Sequence, residues 1–168
     1  WPNDPPFSIK RVSDMANGAS HTLSEITMGS HSGTHIDAPL HFDITGNTID
    51  RMPPDATVGP ARVIEVRDRE SVKTNDLLQH HIKPGERILI KTANSSRVWK
   101  TDEFIEDFVY LTREAAAFMS EIKIRMIGID YLSVGGYKKH GEATHKSLLR
   151  AGVWIIEGLD LSAITPGY

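Results

Sequence analysis

Apolar and polar residues along this chain follow two different periods. Residues 7–15 and 22–28 alternate weakly, with period two, and predict two strands; Asn17-Gly18 between them is a turn signal. Residues 61–67 and 87–92 carry the clearer strand pattern, rich in Val, Ile and Leu. Two short apolar runs, residues 123–130 and 153–157, predict buried strands that end on the carboxylates Asp130 and Glu157. The period lengthens toward 3.6 over Arg113–Ile122, which predicts a helix with Thr112 as its N-cap. A second helix is expected over residues 144–151, closed by Gly152, and a short one over 77–81, opened by Thr74-Asn75-Asp76. Residues 43–54, 93–100 and 131–141 lack either period and are expected to be loops. Strands and helices alternate in the second half, so an α/β arrangement is expected, in one domain spanning residues 1–168.

One stretch breaks this apolar logic. His31, His35, Asp37 and His41 lie within eleven residues, and each is an even number of positions from the others. On an extended backbone they would share one face, with Ile36, Leu40 and Phe42 on the opposite one. A helix is disfavoured by Gly33 inside the stretch and Pro39 after His35. On an ideal strand, His31 and His35 would be about 13 Å apart at about 3.3 Å per residue, near the limit for two imidazoles sharing an ion. A bend at Gly33-Thr34 is therefore expected. His35 and Asp37 would lie roughly 6–7 Å apart on one face, which suits convergence on a cation.

Composition narrows the chemistry. The 168 residues are 39% hydrophobic and 24% charged, which suits a soluble globular domain. A net charge of −3 with scattered Lys and Arg gives no nucleic-acid footprint, and no apolar run approaches the roughly 20 residues of a membrane span. With no cysteine, thiolate catalysis and zinc-thiolate sites are excluded, so a metal would be held by N and O donors. The absence of cysteine also fits the cytoplasm, the expected compartment. Two His and one carboxylate form a recurrent ligand set for Zn²⁺, Mn²⁺ or Fe²⁺. A row of imidazoles on one buried face would be costly without such a partner. His145, near the start of the last helix, and Glu157, ending an apolar strand, form a second polar pair. Burying Glu157 there needs an ion partner or a metal, although a strand-end carboxylate is often only a cap. His21, His80, His81 and His140 read as surface or structural histidines. The chain opens at Trp1 with no Met, as a trimmed product would.

The stretch Ser30–Phe42 resembles the signature of the cyclase family of metal-dependent hydrolases, which includes bacterial kynurenine formamidase (arylformamidase) and isatin hydrolase. The resemblance extends to Trp1–Phe7, to Ile127-Gly128-Ile129-Asp130 with Ser133-Val134, and to His145-Lys146-Ser147-Leu148-Leu149 with Glu157. It implies a swivelling β/β/α-type domain, with a mixed-sheet or barrel-like core flanked by helices, working as a homodimer or homotetramer. It implies one or two divalent ions, Zn²⁺ first, with Mn²⁺ or Mg²⁺ as alternatives. His31, His35 and Asp37 would hold one ion, and Asp37, His145 and Glu157 a second, with His41 as the acid–base residue. The implied reaction is hydrolysis of an amide or formamide C–N bond in a small molecule such as N-formylkynurenine. The alternatives are hydrolysis of isatin or another cyclic amide, a cyclase or dehydratase reaction, and metal binding without turnover. Trp1, Phe7 and Phe42 are candidates for an aromatic wall, Phe42 equally for ordinary core. One departure stands out: after Ser133-Val134 the family usually continues with Asp, whereas this chain has Gly135-Gly136.

Overall fold

The computed structural model describes residues 1–168, which divide into two compact units, Trp1–Ser32 and Gly33–Tyr168. The first unit is an antiparallel hairpin of β1 (Ser8–Ser13) and β2 (Leu23–Thr27), in the register Ile9 opposite Ile26. Gly18 is left-handed (φ 85°) and closes the expected turn by donating from its N–H to the Met15 carbonyl. Asp14 caps the same turn by accepting from the Ala16 N–H.

The second unit holds β3 (His35–Asp37), β4 (Arg62–Glu65), β5 (Ser71–Val72), β6 (Arg87–Lys91), β7 (Tyr110–Leu111), β8 (Met126–Ile129) and β9 (Trp154–Glu157). Its helices are α1 (Thr74–Leu78), α2 (Asn94–Arg97), α3 (Arg113–Ile122) and α4 (Gly141–Arg150). Five strands form one mixed sheet in the order β3-β9-β8-β6-β4, parallel except for β3, which runs antiparallel to β9. The small pair β5–β7 lies apart from it. Period-two alternation explains how the sheet is covered. Ile88, Ile90, Ile127, Ile129 and Ile155 pack into one cluster with Leu77, Ala115, Met119 and Leu148 of the helices. Leu89, Met126, Trp154 and Ile156 face the other way, onto Ile36, Ala38, Met52 and Ala56. Burying a Leu or Ile side chain contributes about 1.5–3 kcal/mol, so two such faces strongly specify strand register. No helix is long and apolar enough to cross a membrane.

The mixed α/β architecture with flanking helices is as expected, and α3 spans its predicted residues, with Thr112 Oγ1 accepting from the Ala115 N–H at 3.2 Å. Other boundaries moved for physical reasons. Helix α1 begins at Thr74 rather than Leu77, because Asp76 turns back to accept from the Lys73 N–H, and left-handed His81 (φ 47°) stops the run. Helix α4 begins at Gly141, three residues early: left-handed His140 (φ 61°) offers its carbonyl to the N–H groups of Ala143 and Thr144. Residues 93–100, expected as loop, contain α2 and a 3₁₀ turn, because Asn94 and Ser95 are buried and hydrogen-bonded. The extended reading of residues 31–41 fails after Asp37. Pro39 cannot extend a ladder, and Pro39–His41 form a 3₁₀ turn in which the His41 N–H reaches the Ala38 carbonyl.

Candidate metal centre

Register builds the site. In the β3–β9 pair His35 lies opposite Glu157, Ile36 opposite Ile156, and Asp37 opposite Ile155. Directly opposed residues point to the same side, so His35, Asp37 and Glu157 share the helix-covered face with Ile155. The register is locked where the strands meet their loops. Thr34 Oγ1 donates to the Gly158 carbonyl at 2.7 Å, and a Cβ on Gly158 (φ 74°) would lie 2.3 Å from the Gly33 oxygen, so no other residue fits. Gly33 is itself left-handed (φ 66°), the bend expected at Gly33-Thr34. Helix α4 supplies the fourth group. Its buried stripe of Thr144, His145, Leu148 and Leu149 turns His145 toward the sheet.

Four side chains interleave. Asp37 presents Oδ1 to His35 Nε2 at 3.4 Å and Oδ2 to His145 Nε2 at 3.6 Å. Glu157 does the same, with Oε2 at 3.7 Å from His35 Nε2 and Oε1 at 2.9 Å from His145 Nε2. Each carboxylate thus spans both imidazoles. The other ring nitrogens are already committed. His35 Nδ1 donates to the Gly33 carbonyl at 2.9 Å, and His145 Nδ1 donates to the Gly141 carbonyl at 2.7 Å. A carbonyl only accepts, so the Nδ1 atoms carry the protons, and in the neutral rings both Nε2 atoms turn lone pairs toward the carboxylates. Second-partner bonds of this kind orient metal-binding histidines.

The electrostatics agree. Asp37, His145 and Glu157 are buried at 0%, 4% and 4% exposure. Burial pulls the His145 pKa down, but the Glu157 hydrogen bond and charge, the Gly141 carbonyl and the Asp37 charge outweigh it and raise it above its ordinary value. His35 follows the same balance: burial lowers it, while Asp37, the Gly33 carbonyl and Glu157 raise it further. The cluster therefore favours positive charge at its centre. A divalent ion fits that demand. Zinc–nitrogen and zinc–oxygen bonds of about 2.0–2.1 Å set tetrahedral ligand atoms about 3.3 Å apart, within the 2.9–3.7 Å found here. Ligand atoms of His35, Asp37 and Glu157 all lie within 4.8 Å of one another.

His41 sits apart from the buried set. It is exposed on its 3₁₀ turn, with its ring centroid 6.2 Å from that of His145 and a ligand atom within 4.8 Å of one on Asp37. Phe42 stands against both, 4.3 Å from the His41 ring and 4.5 Å from the His145 ring, while also packing on the core. Phe42 packs on the core, one of its two expected roles, and its ring also stands beside both histidines. Its ring also lines a cavity of about 480 Å³ with Arg51, Lys146, Arg150 and Trp154, and none of the five polar site residues of this unit lines that cavity. His31 lies in the first unit, at the turn that ends it.

Sequence reasoning missed the main-chain groups: the Gly33 and Gly141 carbonyls, and the Val134 N–H, which donates to Glu157 Oε1 at 2.6 Å. No side-chain pattern signals a backbone atom. Asp130, carried by the family-like segment, is fully buried and belongs elsewhere. It accepts from the Thr92 N–H and hydroxyl and from the Ser95 N–H and hydroxyl.

Residues 1–135 match the family described as "Putative cyclase". The chain is 36% identical over 167 residues to the kynurenine formamidase of Bacillus mycoides, covering 99% of this chain and 78% of that protein. A solved structure described as a potential metal-dependent hydrolase with cyclase activity superposes with a TM-score of 0.83 at 34% identity, covering 99% of this chain and 78% of that one. Isatin hydrolase A from Labrenzia aggregata shares the fold at 22% identity, with a TM-score of 0.83 over 100% of this chain and 76% of its own. The chain belongs to the cyclase family.

Proposed function

We propose that this chain is a metal-dependent amidohydrolase that cleaves the C–N bond of an arylformamide resembling N-formylkynurenine. The observation that carries the reading is the interleaved set of His35, Asp37, His145 and Glu157, in which two buried carboxylates each span two imidazoles. Support comes from the kynurenine formamidase relatives at 36% identity. In this reading His31, His35 and Asp37 hold one ion, and Asp37, His145 and Glu157 a second. The place of His31 rests on its spacing in the sequence. Zn²⁺ is the first choice and Mn²⁺ or Mg²⁺ the alternatives, because all donors are N and O.

A bound divalent ion supplies Lewis-acid polarisation of the scissile carbonyl and lowers the pKa of water toward about 7. The protein does the rest. The carbonyls of Gly33 and Gly141 keep the two imidazoles in the tautomer whose Nε2 can coordinate. Asp37, with an oxygen toward each histidine, is shaped to bridge. His41, the exposed imidazole beside this set, takes the proton of the attacking water and returns it to the leaving nitrogen. The C–N bond breaks, and water is divided between formate and an arylamine. The Phe42 ring against His41 limits its rotation. The reading includes work in the cytoplasm as a homodimer or homotetramer, supported by the apolar exposure of Phe7, Ile9 and Ile26 on the hairpin unit.

The test uses the full chain, stripped with a chelator and reloaded with Zn²⁺ or Mn²⁺. Arylamine should form from N-formylkynurenine at a rate that rises with metal and stops on stripping. A metal-loaded chain that hydrolyses no arylformamide, but opens isatin or a cyclic imide, would transfer the reading to a cyclic amide.

A further inference from the structure

The loop after β8 reaches the site through its main chain. The loop and the first residue of α4 hold two of the three groups assigned to the second ion: the Val134 N–H on Glu157 Oε1 at 2.6 Å, and the Gly141 carbonyl on His145 Nδ1 at 2.7 Å. These atoms lie seven residues apart in sequence, and the loop between them is folded so that Gly135 lies against Gly141. A Cβ built on Gly135 would sit 2.5 Å from the Gly141 Cα and 2.8 Å from the Gly141 oxygen, the same oxygen that accepts from His145. Backbone cannot yield at that distance as a flexible side chain would. A Cβ on Gly141 would in turn meet the Gly136 oxygen at 3.0 Å. The crossing is braced by the Gly135 N–H donating to Ser133 Oγ at 3.2 Å and the Lys139 N–H donating to the Gly136 carbonyl at 3.1 Å. Left-handed Lys138 (φ 55°) and His140 (φ 61°) then turn the chain into α4. Gly-Gly at 135–136 is thus the condition under which the loop closes tightly enough for one main-chain donor and one main-chain acceptor to reach two side chains twelve residues apart.

We propose that the Gly135–Gly141 crossing is a positioning clamp for the His145–Glu157 pair, and that it sets the chain's affinity for the ion this pair helps to hold. In this role Gly135, Gly136 and Gly141 act by fixing where His145 Nε2 and Glu157 Oε1 meet. The first clause rests on the geometry alone, and the second on the metal-centre reading above. A lost outer-sphere orienting contact typically lowers metal affinity 10–100-fold.

The experiment compares the full chain with Gly135→Ala and, as a milder variant, Gly141→Ala. In the metal-stripped proteins, NMR reads the Val134 amide proton, which a 2.6 Å bond to a carboxylate places far downfield, and the ring nitrogens of His145 and His35. The clamp predicts that Gly135→Ala moves the Val134 amide upfield and shifts His145 more than His35. Titration with Zn²⁺ then predicts affinity weakened about 10–100-fold for the ion bound by His145 and Glu157. Unchanged Val134 and His145 signals in both variants overturn the clamp. Shifted signals with unchanged Zn²⁺ affinity overturn its link to metal. If the unsubstituted chain binds no divalent ion while the signals shift as predicted, the metal-centre reading fails and the clamp on the pair stands. If Gly135→Ala does not fold, Gly141→Ala, whose clash is with a single oxygen, decides by the same signals.

Discussion

Two buried carboxylate sites lie at the ends of neighbouring strands, and they are built on opposite principles. Asp130, just past β8, is enclosed by donors: two N–H groups and two hydroxyls, from Thr92 and Ser95, converge on its oxygens. Its charge is fully answered by the chain, and its work is to pin α2 to the sheet. Asp37 and Glu157, on β3 and β9, face imidazoles whose protons are turned away toward the Gly33 and Gly141 carbonyls. Glu157 Oε1 accepts from the Val134 N–H, but the Nε2 atoms that face both carboxylates make a pocket that favours positive charge, on the rings or from a cation. A carboxylate ringed by fixed donors stabilises a fold, whereas a carboxylate shared between imidazole nitrogens is suited to hold a cation.

The comparison is broken most directly at Asp37. Asp37→Asn removes a charge that both histidines face, and hydrolysis of the arylformamide should fall below detection, with Zn²⁺ affinity reduced by more than the roughly 100-fold of an outer-sphere change; titration of the stripped protein measures it. His41→Ala should lower kcat about 10²–10⁴-fold while the protein keeps its full metal content. Full activity at saturating metal would remove His41 from the proton path. Zn²⁺ at 100 times its Kd should stabilise the chain by about 2.7 kcal/mol against thermal unfolding. That gain should vanish in Asp37→Asn and persist in Asp130→Asn. Asp130→Asn itself should cost about 1–3 kcal/mol, because a carboxamide cannot accept from all four donors, with metal content unchanged. A loss of metal in Asp130→Asn would erase the contrast between the two sites.

The smallest effect is expected at a third carboxylate, Asp68 on the surface. Its hydrogen bond to Lys73, then those from the Glu70 and Ser71 N–H groups, hold its pKa down to about 2 against the burial that opposes them. A depressed carboxyl stabilises the fold above its ordinary pKa near 3.8, and that contribution is lost as pH falls through about 2. Asp68→Asn should therefore cost less than about 1 kcal/mol at pH 7, and its difference from the parent should disappear between pH 4 and 2 in urea unfolding curves.

Much of this was legible along the chain, and the exceptions are informative. The strands at 61–67, 87–92, 123–130 and 153–157 showed themselves because burial on two faces demands short, nearly continuous apolar runs. Helix α4 started early because Gly141, a poor helix former, is placed there by a crossing with Gly135 that no local pattern reveals. The 93–100 segment became helical because Asp130, thirty-five residues from Ser95, supplies the acceptor for its first turn. The even spacing of His31, His35, Asp37 and His41 suggested one continuous face, yet β3 ends at Asp37, and His41 reaches its place on a 3₁₀ turn.

The sequence alone therefore determined which chemistry this protein can do: no thiolates, a dense His and Asp stretch, and a strand-end Glu with a helical His as its distant complement. Residue type decides ligand chemistry, and residue type is what a sequence states. The tertiary structure alone decided that these groups meet. The β3–β9 register sets His35 opposite Glu157, α4 brings in His145 across the sheet, and three main-chain groups at Gly33, Val134 and Gly141 aim the donors. Those contacts join residues as distant in sequence as His35 and Glu157. They depend on packing and on backbone atoms that every residue carries, so no residue name can announce them.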